Sequence, residues 1–206
     1  MTNERIRPLR SNDLDPNPIQ QFSRWLQEAK QANVAQPEAM TLATADHYNR
    51  PAARIVLLRG VDERGFVFFT NYESRKGQDL QDNARAALVF WWQLLSRQVR
   101  IEGTVEFLEA LESDQYFARR PRGHQISAHA SPQSRVIQDR LFLEKQVENL
   151  THQFTQHNVP RPEHWGGYRV IPEILEFWQE GEHRVHDRLR YRRDDQGRWR
   201  CERLAP

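Results

Sequence analysis

Between Leu175 and Tyr191 the chain reads LEFWQEGEHRVHDRLRY, and this run holds its densest set of residues able to do chemistry. An aromatic, apolar start (Leu175, Phe177, Trp178) gives way to a turn-like Gln179-Glu180-Gly181-Glu182 and then to alternation with period two. Alternation predicts a strand over 183–193. On it Val185, Asp187, Leu189 and Tyr191 share one face. Arg184, His186, Arg188 and Arg190 share the other, spaced about 6.6 Å apart. A solvated face is the ordinary use of such a row. Here it follows Trp178 and a tight turn, which suits a flat or anionic ligand. Arginine offers planar bidentate donors, and histidine donates, accepts or carries charge near neutrality. A second candidate is Ser74-Arg75-Lys76. Ser74 suits a helix N-cap, which puts two cations in a first turn where the helix dipole disfavours them. Free backbone N–H groups beside two cations make a phosphate site; two exposed surface charges are an equal reading from these residues alone. His183 with His186, and His152 with His157, lack the carboxylate or cysteine company of a metal centre, so no metal is expected. There is no GxSxG elbow, Gly-rich dinucleotide fingerprint or P-loop.

The elements that must position these groups can be read in order. The 206 residues suffice for one domain with a real core. Thirty basic against 28 acidic side chains leave a formal charge of +2, which argues for a small anion pocket over a nucleic-acid surface. The lone cysteine, Cys201, excludes an intramolecular disulfide. The N-terminus lacks the apolar core of a signal peptide and no run reaches the length of a membrane span, so a cytoplasmic protein is expected. Residues 1–17 are polar and proline-bearing and predict a flexible arm, ahead of a single domain over 18–206. Ile19, Phe22, Leu26 and Ala29 predict a helix over roughly 18–33. Strands are predicted at 40–45, 54–59, 66–70, 86–92, 98–107, 167–178, 183–193 and 198–204. Helices are predicted after Ser74, over 109–119 with Leu111 and Tyr116 buried, and from Arg135 to about Gln156; a loop or short irregular helix lies between the last two. No βαβ alternation is visible. The fold class is therefore mainly β with flanking helices, an antiparallel barrel.

LEFWQEGEHRVHDR resembles the C-terminal signature of the pyridoxamine (pyridoxine) 5'-phosphate oxidase family, and the likeness extends from about Leu9 to Pro206. It implies the FMN-binding split-barrel fold and a homodimer whose flavin sites are built from both subunits. RIVLLR at 54–59 resembles the first flavin-contact strand, which implies cofactor roles for Arg54, Ile55, Val56, Leu57, Leu58 and Arg59. FTN at 69–71 and SRK at 74–76 resemble the phosphate turn, with Phe69, Thr70, Arg75 and Lys76 at matching positions. Gln98, Gln133, Ser134, Trp178 and Arg188 fall on further flavin-contact positions. The resemblance implies a substrate-phosphate clamp of Arg59, Tyr116, Arg120 and His124. It also implies catalytic placement of Arg184 and His186 over the substrate ring. The activity implied is oxidation of pyridoxamine and pyridoxine 5'-phosphates by FMN and dioxygen. This chain departs from the family pattern at Arg59 (usually lysine), His124 (serine), Ser127 and His129 (glycine and tryptophan), and lacks an N-terminal Arg-x-x-Tyr. Two other readings accompany it: a flavin oxidase of another reduced ring, of dihydrophenazine type, and a non-enzymatic flavin or pyridoxal phosphate binder.

Overall fold

The computed structural model describes residues 8–206. The first helix, α1 (Pro18–Gln31), starts where the sequence provides for it. Asn17 caps it, accepting from the Ile19 N–H at 2.9 Å, and proline occupies the first turn. Its apolar stripe of Ile19, Phe22, Trp25, Leu26 and Ala29 is buried. Phe22 packs its ring against Phe66 of one later strand and Phe90 and Trp92 of another.

Among the described residues nine strands form one antiparallel sheet: β1 (Ala39–Ala45), β2 (Pro51–Leu57), β3 (Gly60–Asp62), β4 (Gly65–Asn71), β5 (Arg85–Trp92), β6 (Arg97–Phe107), β7 (Trp165–Gln179), β8 (Asp187–Arg193) and β9 (Trp199–Leu204). The main path runs β2-β1-β5-β6-β7-β4-β3. Its two end strands, β2 and β3, are joined by Leu58 and Arg59 alone, and the Arg59 N–H bonds to the Val67 carbonyl of β4 at 2.8 Å. So short a link between opposite edges requires the sheet to curl into a barrel, with Arg59 at the seam.

The barrel splits along β7. One edge of this strand pairs with β6 over residues 168–179. On its other edge, residues 165–170 pair with β4 and residues 174–179 with β8. Pro172 lies in the gap and has no N–H to give a ladder. Opposite it, between Glu102 and Gly103, the register shifts because β7 has one extra residue, Glu173. A Cβ on Gly103 would lie 2.0 Å from the Ile171 carbonyl oxygen, so the strands approach there as only glycine permits.

Helices α2 (Arg75–Asp82), α3 (Ala110–Ala118), α4 (Arg122–Ala130) and α5 (Arg140–Gln153) flank the sheet. Among the described residues no helix is long and apolar enough to cross a membrane.

Several expectations need correction. The strand predicted over 183–193 begins at Asp187; Glu182–Arg184 form a 3-10 turn with His183 at φ 54° and Arg184 at φ 64°. The cause is the tight loop at Gly181. Its N–H bonds to His186 Nδ1 at 3.2 Å, and a Cβ there would meet the Val185 carbonyl oxygen at 1.9 Å. Arg184 therefore does not share a strand face with His186 and Arg188. The strand predicted over 54–59 spans Pro51–Leu57, leaving Arg59 in the link. The helix expected from Arg135 starts only after Asp139, whose carboxylate accepts from the Phe142 N–H at 2.8 Å. It buries none of its residues; Leu141, Phe142 and Val147 are exposed. Leu111, expected inside, is 64% exposed. Ser113 and Phe117 set the inner face of α3, and Leu111 lies about 200° round the helix from Ser113. Of the expected arm, residues 1–7 lie outside the described residues. Residues 8–17 are tied down: Leu9 and Leu14 are buried, and the Leu9 N–H donates to Asp187 Oδ2 at 2.8 Å.

Candidate active site

The anion end of the site forms where β4 turns into α2. Ser74 caps the helix as expected and also donates its hydroxyl to the Asn71 carbonyl at 2.7 Å. Lys76 Nζ donates to Thr70 Oγ1 (3.1 Å), Ser74 Oγ (3.1 Å) and Gln133 Oε1 (3.0 Å). Three neutral acceptors do not neutralise a cation. Burial, and then the neighbouring Arg54, push Lys76 down to about 8. Arg54 is half-buried on β2 and reaches Thr44 Oγ1 (2.7 Å) and Asp79 Oδ2 (3.5 Å). Arg75 is exposed in the first turn of α2. Three cations face one buried carboxylate, an imbalance that an anion such as phosphate corrects.

Beside this end opens a cavity of about 930 Å³, within the range of cofactor-sized pockets. Ile55, Val56, Leu57 and Arg59 line one side; Phe69, Thr70, Lys76 and Gln133 line another; Tyr116, Arg120 and His124 come from α3 and α4 and the turn between them. Tyr116 lies flat on Phe69, with ring centres 3.8 Å apart and planes at 6°, and Trp165 lies nearly parallel to both, 5.5 Å from Phe69 and 6.2 Å from Tyr116. The Arg120 guanidinium sits 4.4 Å over Trp165. Its Nη1 is buried and has no hydrogen-bond partner among the described residues. An unmet charged donor costs on the order of 1–3 kcal/mol or more, so Arg120 is set for an incoming acceptor.

The other expected residues do not line this cavity. The Leu58 side chain is buried in the barrel core, so only its backbone could face a ligand. Arg54 and Arg75 stand beside the cavity, and Ser134, at φ 70°, follows the lining residue Gln133. Gln98, Trp178 and Arg188 occur together elsewhere, in direct register across β6, β7 and β8, with Trp91 of β5 completing the row. Trp178 lies 4.7 Å from the His186 ring and 6.0 Å from the Trp91 ring. Arg188 is held in a fork by the buried Glu176, at 2.8 and 3.1 Å, and this partner raises its pKa. Arg184 is exposed on the adjacent turn. One chain thus carries two separate groups of expected site residues.

Trp165, Asp79, Glu176 and Trp91 were missed. Trp165, in a HWGGY run, carried a signal in its rarity. The others acquire meaning only from cross-strand register and helix packing.

Residues 26–154 match the family described as pyridoxamine 5'-phosphate oxidase, and residues 165–206 match the pyridoxine 5'-phosphate oxidase C-terminal dimerisation region. The chain belongs to the pyridoxamine 5'-phosphate oxidase family. A pyridoxine/pyridoxamine 5'-phosphate oxidase of Salinibacter ruber is 58% identical over 92% of this chain and 89% of its own length. One of Burkholderia thailandensis is 54% identical over 100% of this chain and 96% of its own. Among solved structures, PhzG from Burkholderia lata, in complex with tetrahydrophenazine-1-carboxylic acid, superposes with a TM-score of 0.91 at 33% identity, covering 98% of this chain and 99% of that one. As a family member the chain is an FMN-dependent oxidoreductase of split-barrel fold, and its dimerisation region makes the homodimer its assembly. The residues present fit the cofactor. The under-neutralised Lys76 and Arg54 suit its phosphate, and the apolar wall of Ile55, Val56 and Leu57 suits a flat ring system.

Proposed function

We propose that this enzyme oxidises pyridoxamine 5'-phosphate and pyridoxine 5'-phosphate to pyridoxal 5'-phosphate, with dioxygen as the final acceptor and each site shared by two protomers. The observation that carries the reading is Arg120. A buried guanidinium, stacked on an aromatic wall with an unmet donor, suits a phosphate attached to a flat ring. The relatives named above support the same chemistry.

Arg59, Tyr116, Arg120 and His124 hold the substrate phosphate. Arg54, Arg75, Lys76 and Ser134 hold the FMN phosphate and ribityl end. Gln98, Trp178 and Arg188 of the second protomer complete the ring site, which accounts for two groups that one chain keeps apart. Bound FMN would supply the two-electron acceptor for this oxidation, dioxygen would take the electrons on as hydrogen peroxide, and with the amine substrate water would release ammonia. Arg184 and His186 hold the reacting carbon in line. Because His186 Nδ1 accepts the Gly181 N–H, its neutral ring carries its proton on Nε2, where it serves as a donor.

A second reading, oxidation of a reduced phenazine-like ring, is favoured by the likeness to PhzG and by Arg59 and His124 standing where the family has lysine and serine. Anaerobic mixing of the FMN-loaded enzyme with pyridoxine 5'-phosphate separates the two. Bleaching of the flavin absorbance, with recovery and aldehyde on admitting air, is the expected result. A flavin that neither this substrate nor pyridoxamine 5'-phosphate bleaches would overturn the first reading.

A further inference from the structure

Arg54 is gripped by two residues outside every motif singled out in the sequence. Thr44 lies on β1, two positions along from Leu42, which pairs directly with Arg54. Asp79 lies on α2, four residues after Arg75. Both are buried, at 4% and 5% exposure. The Thr44 hydroxyl donates to Asp79 Oδ2 at 2.6 Å, which leaves its oxygen to accept from Arg54 Nη1 at 2.7 Å. The same Nη1 reaches the Leu42 carbonyl at 3.2 Å, and Nη2 stands 3.5 Å from Asp79 Oδ2. Nε has no partner among the described residues. The guanidinium is therefore held by its end. Its side edge, the Nε–H with the second N–H of Nη2, remains for a ligand, and this edge gives paired bonds to a phosphate.

Charge alone does not account for Asp79. A buried carboxylate beside a phosphate site opposes the anion it neighbours. Lys76 already supplies charge there, but as a compact ammonium, without the paired, planar N–H edge of a guanidinium. Direction is what the Thr44–Asp79 pair adds.

We propose that Thr44 and Asp79 are positioning residues that aim the side edge of Arg54 at the FMN phosphate, and that their grip sets the preference of the protein for FMN over riboflavin. The inference rests on reading this end as the FMN phosphate site.

Flavin fluorescence quenching by the apoprotein tests it without recourse to turnover. FMN and riboflavin are titrated separately into the wild type, Asp79→Ala, Thr44→Val and Thr44→Ser. The expected result is that the wild type prefers FMN, that Asp79→Ala and Thr44→Val each weaken FMN about tenfold with riboflavin affinity unchanged, and that Thr44→Ser, which keeps the hydroxyl, stays near wild type. FMN binding by Asp79→Ala as tight as wild type or tighter would reduce Asp79 to a charge and overturn the proposal. Equal losses of FMN and riboflavin would make the pair merely structural and overturn it as well. Thr44→Val keeps every charge and carries the test if Asp79→Ala fails to fold. A wild type without preference between the two flavins would remove the phosphate-site reading itself.

Discussion

Arg120, Lys76 and Arg184 each bear a different kind of prediction at the scale of single residues. Arg120 is half-buried, and burial pushes its pKa down. Replacing an unpaired buried cation with an apolar isostere does not cost stability. Arg120→Met should leave the melting temperature unchanged or raised, keep FMN content, and raise the KM for pyridoxine 5'-phosphate about tenfold or more. Thermal melts with steady-state kinetics check this, and an unchanged KM would remove Arg120 from the clamp. Lys76 predicts a pH dependence. Its pKa is about 8 in the free protein and rises when phosphate binds, since an anion favours the charged form. Its contribution to FMN binding is therefore complete below the free value and is lost as pH climbs past it towards the bound value. FMN affinity should fall as pH rises above about 8, riboflavin affinity should not, and Lys76→Met should flatten the difference. Arg184 sits in a turn, exposed and away from the barrel core, so Arg184→Ala should cut turnover by about 10²-fold while flavin content holds. Loss of flavin with normal turnover per bound flavin would contradict its role.

Among the elements, β7 carries the architecture. It supplies Trp165 to the cavity and Trp178 to the second group, and it changes partner between them. The change depends on Pro172 and on the close approach at Gly103. Gly103→Ala puts a methyl 2.0 Å from a backbone oxygen, and no side-chain rotation can relieve that contact. Destabilisation of about 2–3 kcal/mol is expected, at the upper end of overpacking effects. Chemical denaturation measures it, and a loss below about 0.5 kcal/mol would show that β6 shifts freely. Helix α3 has an anchor of its own. Glu112 accepts from Arg64 at 3.0 Å and lies 3.5 Å from the buried Arg169, one turn before Tyr116. This ties the aromatic floor of the cavity to the sheet.

For the whole molecule, the decisive fact is that the cavity and the Gln98–Trp178–Arg188 row are separate in one chain. On the proposed reading, two protomers sharing sites would bring them together, with two equivalent sites by symmetry. Mixed dimers distinguish shared from separate sites. Arg120→Met and Arg184→Ala protomers, each of low activity alone, should on subunit exchange recover about a quarter of wild-type activity, because half the dimers carry one intact site. If each site came from a single chain, the mixture would recover nothing. Ile55 on the cavity wall and Trp91 at the end of this row are exposed, at 65% and 51%, on a surface that pairing can cover.

What the sequence determined by itself was local. Ser74, Arg75 and Lys76 fall in a single turn, so a helix cap with adjacent cations was legible without the fold. Alternating apolar positions and the lack of βαβ order were enough to indicate an antiparallel barrel, because strand faces repeat every two residues. The family signature supplied the names of distant partners, though not their arrangement. Tertiary structure decided the rest. The period-two pattern through Arg184 could not reveal that a hydrogen bond from Gly181 to His186 winds the chain into a 3-10 turn. Nor could it reveal that Thr44 and Asp79, 35 residues apart, share one proton and together hold Arg54. Periodicity reports which face a residue occupies; which residues meet across that face depends on register and curl, and those are set by contacts far apart in the chain.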